Sequence, residues 1–206
     1  MGIKERRERE KQDLRQKILD AAQEIITREG FAALSMRKLA ERIEYSPASI
    51  YLHFRSREQI AQELSESGFN QLLTRMRSAA EENDAVARMS ALSLAYVSFG
   101  LEHPETYRLM FMGDSEYMAV AYADKSPDNP ANCTYQLLID AANNLKHDGL
   151  YTGQATAAEI AEMIWVAAHG IVSLTITCPG FQLSSPTGLA TIMADTLVRG
   201  LLAKSR

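Results

Sequence analysis

Cysteine is scarce in this chain: Cys133 and Cys178 are the only two in 206 residues, 45 positions apart and in no CxxC-type spacing. That excludes a disulfide-built scaffold and the paired-ligand spacings of structural zinc. Glycine-rich phosphate loops and local nucleophile motifs are also missing. Cys133 or Cys178, with His103, His147 or His169 as base, therefore makes a poor enzyme, and neither a catalytic residue, a metal nor a cofactor is expected. The six prolines all stand where a helix would start or break. No internal repeat and no alternating strand pattern occurs. The longest apolar stretch, IWVAAHGIVSLTI at 164–176, falls short of a membrane span and carries a histidine, and the N-terminus is charged where a secretory leader would be apolar. These absences predict a soluble chain in a reducing cytoplasm, with no membrane partner.

What is present is an ordinary globular composition, 46% hydrophobic and 23% charged, enough to bury a core. The charge is unevenly placed. Residues 1–60 hold 13 Lys and Arg against 10 Asp and Glu, whereas residues 61–206 hold 9 against 16. A basic head on an acidic body suits a molecule of which only the head meets a polyanion.

Helical periodicity runs throughout, and the expected fold is all-α. Leu14, Ile18, Ala21, Ala22, Ile25 and Ile26 form one stripe of a first helix ending at Gly30. The opening KERREREKQDLRQK at 4–17 has no apolar side until Leu14. It reads either as an arm, frayed in the free chain, whose Arg6, Arg7, Arg9 and Lys11 reach a minor groove or phosphates, or as a solvated helix extension with i,i+4 pairs. Ser35 caps a short helix from Met36 to about Ile43. Ser46-Pro47 opens another that runs to about Phe54, and Ser56 with Gln59 forms a capping box for a longer helix to about Met76. The body continues with helices at about 84–102, through Tyr107 to Phe111, at about 133–145, at about 155–177, and from Pro186 to about Ala203. The turn-rich DKSPDNPAN at 124–132 and Cys178-Pro179-Gly180 interrupt them.

Three compact helices with the three-residue turn Glu44-Tyr45-Ser46 between the second and third have the spacing of a helix-turn-helix, whose last helix enters the major groove. The segment GFAALSMRKLAERIEYSPASIYLHFRSREQI at 30–60 resembles the DNA-binding domain of the TetR/AcrR family of regulators. The resemblance is carried by Gly30, Phe31, Ser35, Leu39, Ala40, Ser46, Ile50, Tyr51, Phe54, Ser56 and Glu58. Glu44 departs from it, since many members place glycine there; either a non-glycine residue accepts a left-handed conformation, at about 1 kcal/mol, or the turn is made differently. The resemblance implies DNA contacts by Ser35, Arg37, Ser46, Ala48, Ser49, Tyr51, His53, Arg55 and Arg57. Tyr51 and the two arginines serve phosphates, and Ser46, Ala48, Ser49 and Arg37 or His53 serve bases.

The segment MIWVAAHGIVSL at 163–174 resembles the Trp-His-Gly motif that names one C-terminal domain class of the same family. Trp165 and His169 share a helix face, and Gly170 removes a side chain where another helix can approach. His169 reads as a core histidine bonded to a neighbouring helix or as a polar anchor in a cavity. The helix from Ile160 to Ile176 is apolar nearly all round and needs cover on every side. Ile171 and Leu174 on it, with Ile192, Met193, Thr196, Leu197, Gly200 and Leu201 on the last helix, are the expected seam of a homodimeric four-helix bundle; an intramolecular core is the other reading. Tyr96, Phe99, Met110, Phe111, Met118, Tyr122, Trp165 and His169 are the candidate walls of an adaptable effector pocket, or plain core.

The organisation expected is a DNA-binding domain at 1–55 and a sensing and dimerising domain at 56–206, with the helix at 56–76 as connector. The function expected is a repressor released from a palindromic operator in double-stranded DNA by a mostly apolar small molecule. A thiol-responsive regulator is the second reading, and a ligand-free architectural protein the third.

Overall fold

The computed structural model describes residues 2–178, 180 and 184–203; Pro179 of the expected break lies outside them. Among the described residues there are ten α-helices, one 3₁₀ turn and no strand. Local chemistry sets most of the helix starts. Ser35 accepts from Lys38 N to open α2 (Met36–Ile43), and Ser46 from Ser49 N to open α3 (Pro47–Tyr51). Asp84 accepts from Ala87 N at α5 (Ala85–Glu102), and Thr156 with Glu159 forms a capping box at α9 (Ala157–Thr177).

Three features differ from the sequence expectation or resolve it. The charged opening is helical: α1 (Ile3–Glu29) includes it, and Arg6 pairs with Glu10 one turn on. Of the two readings, the helix extension is the one seen. The third helix stops at Tyr51 rather than Phe54, because His53 N and Phe54 N both bond to the Ile50 carbonyl, at 2.9 and 3.0 Å, and close the turn. Between α6 (Pro104–Phe111) and α8 (Pro130–His147) lies a helix the sequence reading missed, α7 (Ser115–Ala121), capped by Asp114.

The chain divides into two compact units, and the division is not a single cut. The first takes Met1–Gly68 and Glu105–Lys125; the second takes Phe69–Pro104 and Ser126–Arg206. One helix, α4 (Arg57–Ala80), contributes to both. In the first unit Ile18, Ala22 and Ile25 of α1, Leu39 of α2, Ile50 of α3, Phe54 and Ile60 are buried together with Leu109 and Tyr117. The α6–α7 segment is thus part of the head's own core. Asp114 is the reason it is held there: its carboxylate accepts from Tyr117 N at 2.9 Å, capping α7, and from Phe31 N at 2.9 Å, satisfying the turn after α1. Close packing adds to this, since a Cβ on Gly68 would lie 2.7 Å from the Met110 sulfur. The Tyr117 ring meets Phe31 edge-on at 5.7 Å, yet its buried hydroxyl has no hydrogen-bond partner among the described residues, and burial pushes its pKa up.

In the second unit α5 and α9 pack together and against α8 and α10 (Pro186–Ala203). Ile160, Ala161, Ile164, Ala168, Ile171 and Val172 of α9 are buried. At 21 residues α9 runs beyond the apolar stretch at both ends and reaches the length and apolarity of a membrane span, as the core helices of soluble proteins also can.

Candidate functional site

The left-handed residue at the turn decides how the head presents α3. Glu44 stands at φ 61°, ψ 41°, the left-handed region, and is the only non-glycine residue with positive φ among those described. The departure from glycine noted in the sequence is therefore accommodated by strain, not by another turn. Past it, Ser46 holds α3 by two bonds: its hydroxyl accepts from Ser49 N at 3.2 Å and lies 2.9 Å from the Ser49 hydroxyl. Ile50 and Phe54 point inward and are fully buried. The opposite side therefore faces outward, with Ser46 and Ala48 exposed, Ser49 half-buried and Tyr51 57% exposed.

A residue the sequence reading did not single out fixes the far end of α3. Arg15 of α1 lies over the Phe54 ring at 4.2 Å, donates to the His53 carbonyl at 2.8 Å and pairs with Glu63 of α4. The stacked guanidinium satisfies a carbonyl that the helix end would otherwise orphan. Its partners lie 38 and 48 positions away, beyond any local pattern.

The nine expected DNA residues are not equivalent. Ser35, Arg37, Ser46, Ala48, Tyr51 and Arg55 are exposed. Arg37 is paired with Glu41, an exposed i,i+4 pair of little strength that a phosphate can displace. His53 is half-buried. Its pKa is lowered by burial first and by Arg15 and Lys11 after that, and its Nδ1 has no partner among the described residues. It stands neutral near pH 7, suited to a base edge rather than to a phosphate. Arg57 is committed inside the head: it lies over the Phe31 ring at 4.5 Å, pairs with Glu58 and Glu116, and donates to the Phe31 carbonyl. Arg55, by contrast, is exposed.

The eight candidate pocket residues fall into separate groups. Met110, Phe111, Met118 and Tyr122 belong to the first unit, where the Tyr122 hydroxyl donates to the Met110 carbonyl and Met118 packs against the head core. Tyr96, Phe99, Trp165 and His169 belong to the second. There the Trp165 indole donates to the Tyr96 hydroxyl at 3.1 Å, and that hydroxyl lies 3.2 Å from His169 Nδ1. The hydroxyl thus joins the Trp165 indole to the His169 ring. Burial lowers the His169 pKa and keeps the ring neutral. His169 is thus bonded to a neighbouring helix, the first of the two readings. Phe99, almost fully buried, also lines an open cleft of about 760 Å³ with Gln71, Thr74, Arg75, Ser78 and His103.

The expected dimer residues divide as well. Ile171 is buried within its own chain, but Leu174 is 44% and Ile192 64% exposed, and Thr196 and Gly200 lie at the surface. Two residues not named individually, though within the expected seam at about 160–178 and 186–203, join them: Met163 and Val166 are exposed on α9. Met163, Val166, Gly170 and Leu174 recur at helical spacing and make one stripe. Ile192, Thr196 and Gly200 make another on α10. A Cβ at Gly170 or Gly200 would meet nothing within 4 Å, so neither glycine serves a close approach inside the described chain. Between the helices runs a groove of about 500 Å³ lined by Ile160, Met163, Thr196, Leu197, Gly200 and Leu201, with Tyr151 and Glu159 at its side.

Comparison with known proteins bears on this geometry. Residues 18–64 match the bacterial regulatory proteins, tetR family, and residues 89–197 match the tetracyclin repressor-like C-terminal domain. The HTH-type transcriptional regulator UidR of Escherichia coli (strain K12) is 27% identical, over 80% of this chain and 95% of UidR. The uncharacterized HTH-type transcriptional regulator YobS of Bacillus subtilis is 35% identical over 90 residues, 44% of this chain and 47% of YobS. Among solved structures, a protein of unknown function from Rhodococcus sp. RHA1 is similar at 29% identity and a TM-score of 0.69, covering 92% of this chain and 95% of that one.

Proposed function

Because this chain belongs to the TetR family, and is a ligand-responsive, DNA-binding transcriptional regulator, we propose that it reads its operator with α3 and takes its effector in the second unit. The observation that carries the reading is the outward row Ser46, Ala48, Ser49 and Tyr51, short side chains at the helix start and a rigid hydroxyl at its end, on a helix anchored by buried Ile50 and Phe54. Ser46, Ala48 and Ser49 let the backbone approach base edges, with His53 beside them, while Ser35, Arg37, Tyr51 and Arg55 meet phosphates. The regulator acts as a homodimer in the cytoplasm, on an inverted repeat whose half-sites lie one or more helical turns apart. The Trp165, His169 and Gly170 set supports placing its C-terminal domain in the Trp-His-Gly class.

Selection of binding sites from a random duplex pool, followed by footprinting, tests the reading; one short protected pseudo-palindrome is expected. On that site Tyr51→Phe should weaken specific and random duplexes alike, since a phosphate contact carries no sequence information. Ser49→Leu should instead change preference at one or two positions by about 1–3 kcal/mol per mismatched pair. Base-selective loss with Tyr51→Phe, or uniform loss with Ser49→Leu, would reverse the assignments.

The effector is a mostly apolar or aromatic small molecule, supported by the Tyr96, Phe99 and Trp165 side chains. It acts through α4, which is a single helix shared by both units. An effect of 100-fold on operator affinity needs about 2.7 kcal/mol of preference for one arrangement, and linkage makes operator weaken the effector equally. Calorimetry of an effector found by thermal-shift screening, with and without saturating operator, should show that same factor. Equal affinities in the two titrations would rule out the mechanism.

A further inference from the structure

Leu52 is 81% exposed, more than any other large hydrophobic side chain among the described residues. It is also in an unusual place. Of the nine large hydrophobics that are exposed among the described residues, Tyr45, Tyr51 and Leu52 fall within eight positions of the helix-turn-helix, in a head whose other described large apolar groups are buried or partly buried. Leu52 caps α3 with helical backbone angles, φ −69° and ψ −20°. At about 100° per residue it therefore points roughly opposite to Ile50 and Phe54, the two fully buried anchors of the helix. Residues three and four positions earlier share its face. Those are Ser49 and Ala48, the centre of the reading row, and a leucine side chain leans back toward them. Ala48 is too short to cover it. No folding role accounts for the side chain, and exposed Arg55 follows shortly after the end of the helix.

We propose that Leu52 determines specificity by reading a thymine methyl. A surface that meets a duplex through α3 must place Leu52 in the major groove. The apolar group that the groove offers there is the C5-methyl of thymine. Polar base edges would be desolvated against leucine without a partner, so the same side chain disfavours cytosine and guanine at that step. Each half-site should therefore carry a thymine at the position Leu52 meets, flanked by the steps that Ser46 and Ser49 read. This inference rests on the operator-reading role of α3 proposed above.

The test uses the full chain and a duplex selected from a random pool. Each thymine of the selected half-site is replaced by deoxyuridine, which deletes the methyl and leaves base pairing intact, and affinities are measured for the wild type, Leu52→Ala and Leu52→Met. One position per half-site should cost the wild type about 3- to 5-fold, the worth of one buried methyl group. Leu52→Ala should bind the thymine and deoxyuridine duplexes equally there, and Leu52→Met should keep most of the discrimination. Because Leu52 is exposed, its replacement leaves the core untouched, and an unchanged circular dichroism melt confirms that. A wild type indifferent to every methyl, or a methyl effect that survives in Leu52→Ala, would overturn the assignment while leaving the operator reading in place. A pool that yields no enriched sequence would remove both.

Discussion

Ile192→Glu is expected to convert the protein from dimer to monomer and to abolish tight operator binding. In the single chain Ile192 is 64% exposed, so a carboxylate there costs the fold little. The substitution matters only if a second copy covers the stripe of Ile192, Thr196 and Gly200. A two-fold interface places the residue in the seam twice, and each unpaired charge buried there costs about 2–5 kcal/mol. The dimer dissociation constant should therefore rise at least about a thousandfold. Val166→Glu, on the neighbouring α9 stripe and 59% exposed, should act in the same way. Operator affinity falls with it, because one head alone meets one half-site. Light scattering at micromolar concentration reads the outcome. A mass unchanged in both variants would place the seam elsewhere.

The second large effect concerns the head. Asp114→Ala removes the cap of α7 and leaves the Phe31 N–H without its acceptor. A lost cap costs about 1 kcal/mol and a part-buried amide that water can reach adds up to about 1 kcal/mol, so the head should lose about 1–2 kcal/mol against urea. The pH dependence has a definite sign. The Tyr117 amide first, and the Phe31 amide after it, hold the Asp114 carboxyl below the usual aspartate range. A carboxylate with a depressed pKa stabilises the fold at neutral pH, and that contribution is lost as pH falls below about 4. The gap between wild type and Asp114→Ala should therefore be widest near pH 7 and should shrink at pH 3. Tyr117→Phe supplies the opposite sign. It deletes a buried hydroxyl that lacks a partner, and should leave the head as stable as wild type or more so. Equal stability of wild type and Asp114→Ala at pH 7 would show that the double acceptor contributes nothing.

Which parts of this molecule were legible in its sequence follows from the range of the interactions. Caps act within three residues, and Ser35 and Ser46 mark helix starts in the sequence as they do in the structure, while Asp84 and Thr156 cap helices whose starts were read at about 84 and 155. α7 was missed because seven residues show little periodicity, although its cap was local, Asp114 accepting from Tyr117 N three residues on; only the second partner of Asp114, Phe31 N at 2.9 Å, lies far off, 83 positions away in sequence. Arg15 was invisible for the same reason: a basic residue in a charge-dense arm shows no sign of the ring and the carbonyl it will meet. On α9 the difficulty was different. A helix apolar nearly all round does not declare which side faces its own chain, so Ile171, which is core, was grouped with Leu174, which is surface, and exposed Met163 and Val166 were not singled out. On α3 the alternation of buried Ile50 and Phe54 with exposed neighbours was readable, and with it the row that faces outward.

The head's discontinuity has a consequence for how the protein is made. Residues 105–125 supply Leu109, Tyr117 and Ala121 to a core whose other buried members lie within the first 68. During synthesis the helix-turn-helix must wait for 57 further residues, about 3–11 s at ordinary elongation rates, with Phe31 and its neighbours uncovered. Engineers who graft this head onto another sensor face the same constraint. A fusion joined after α3 would carry the reading surface but not the segment that seals it, whereas one that transplants 1–68 together with 105–125 would carry a complete core.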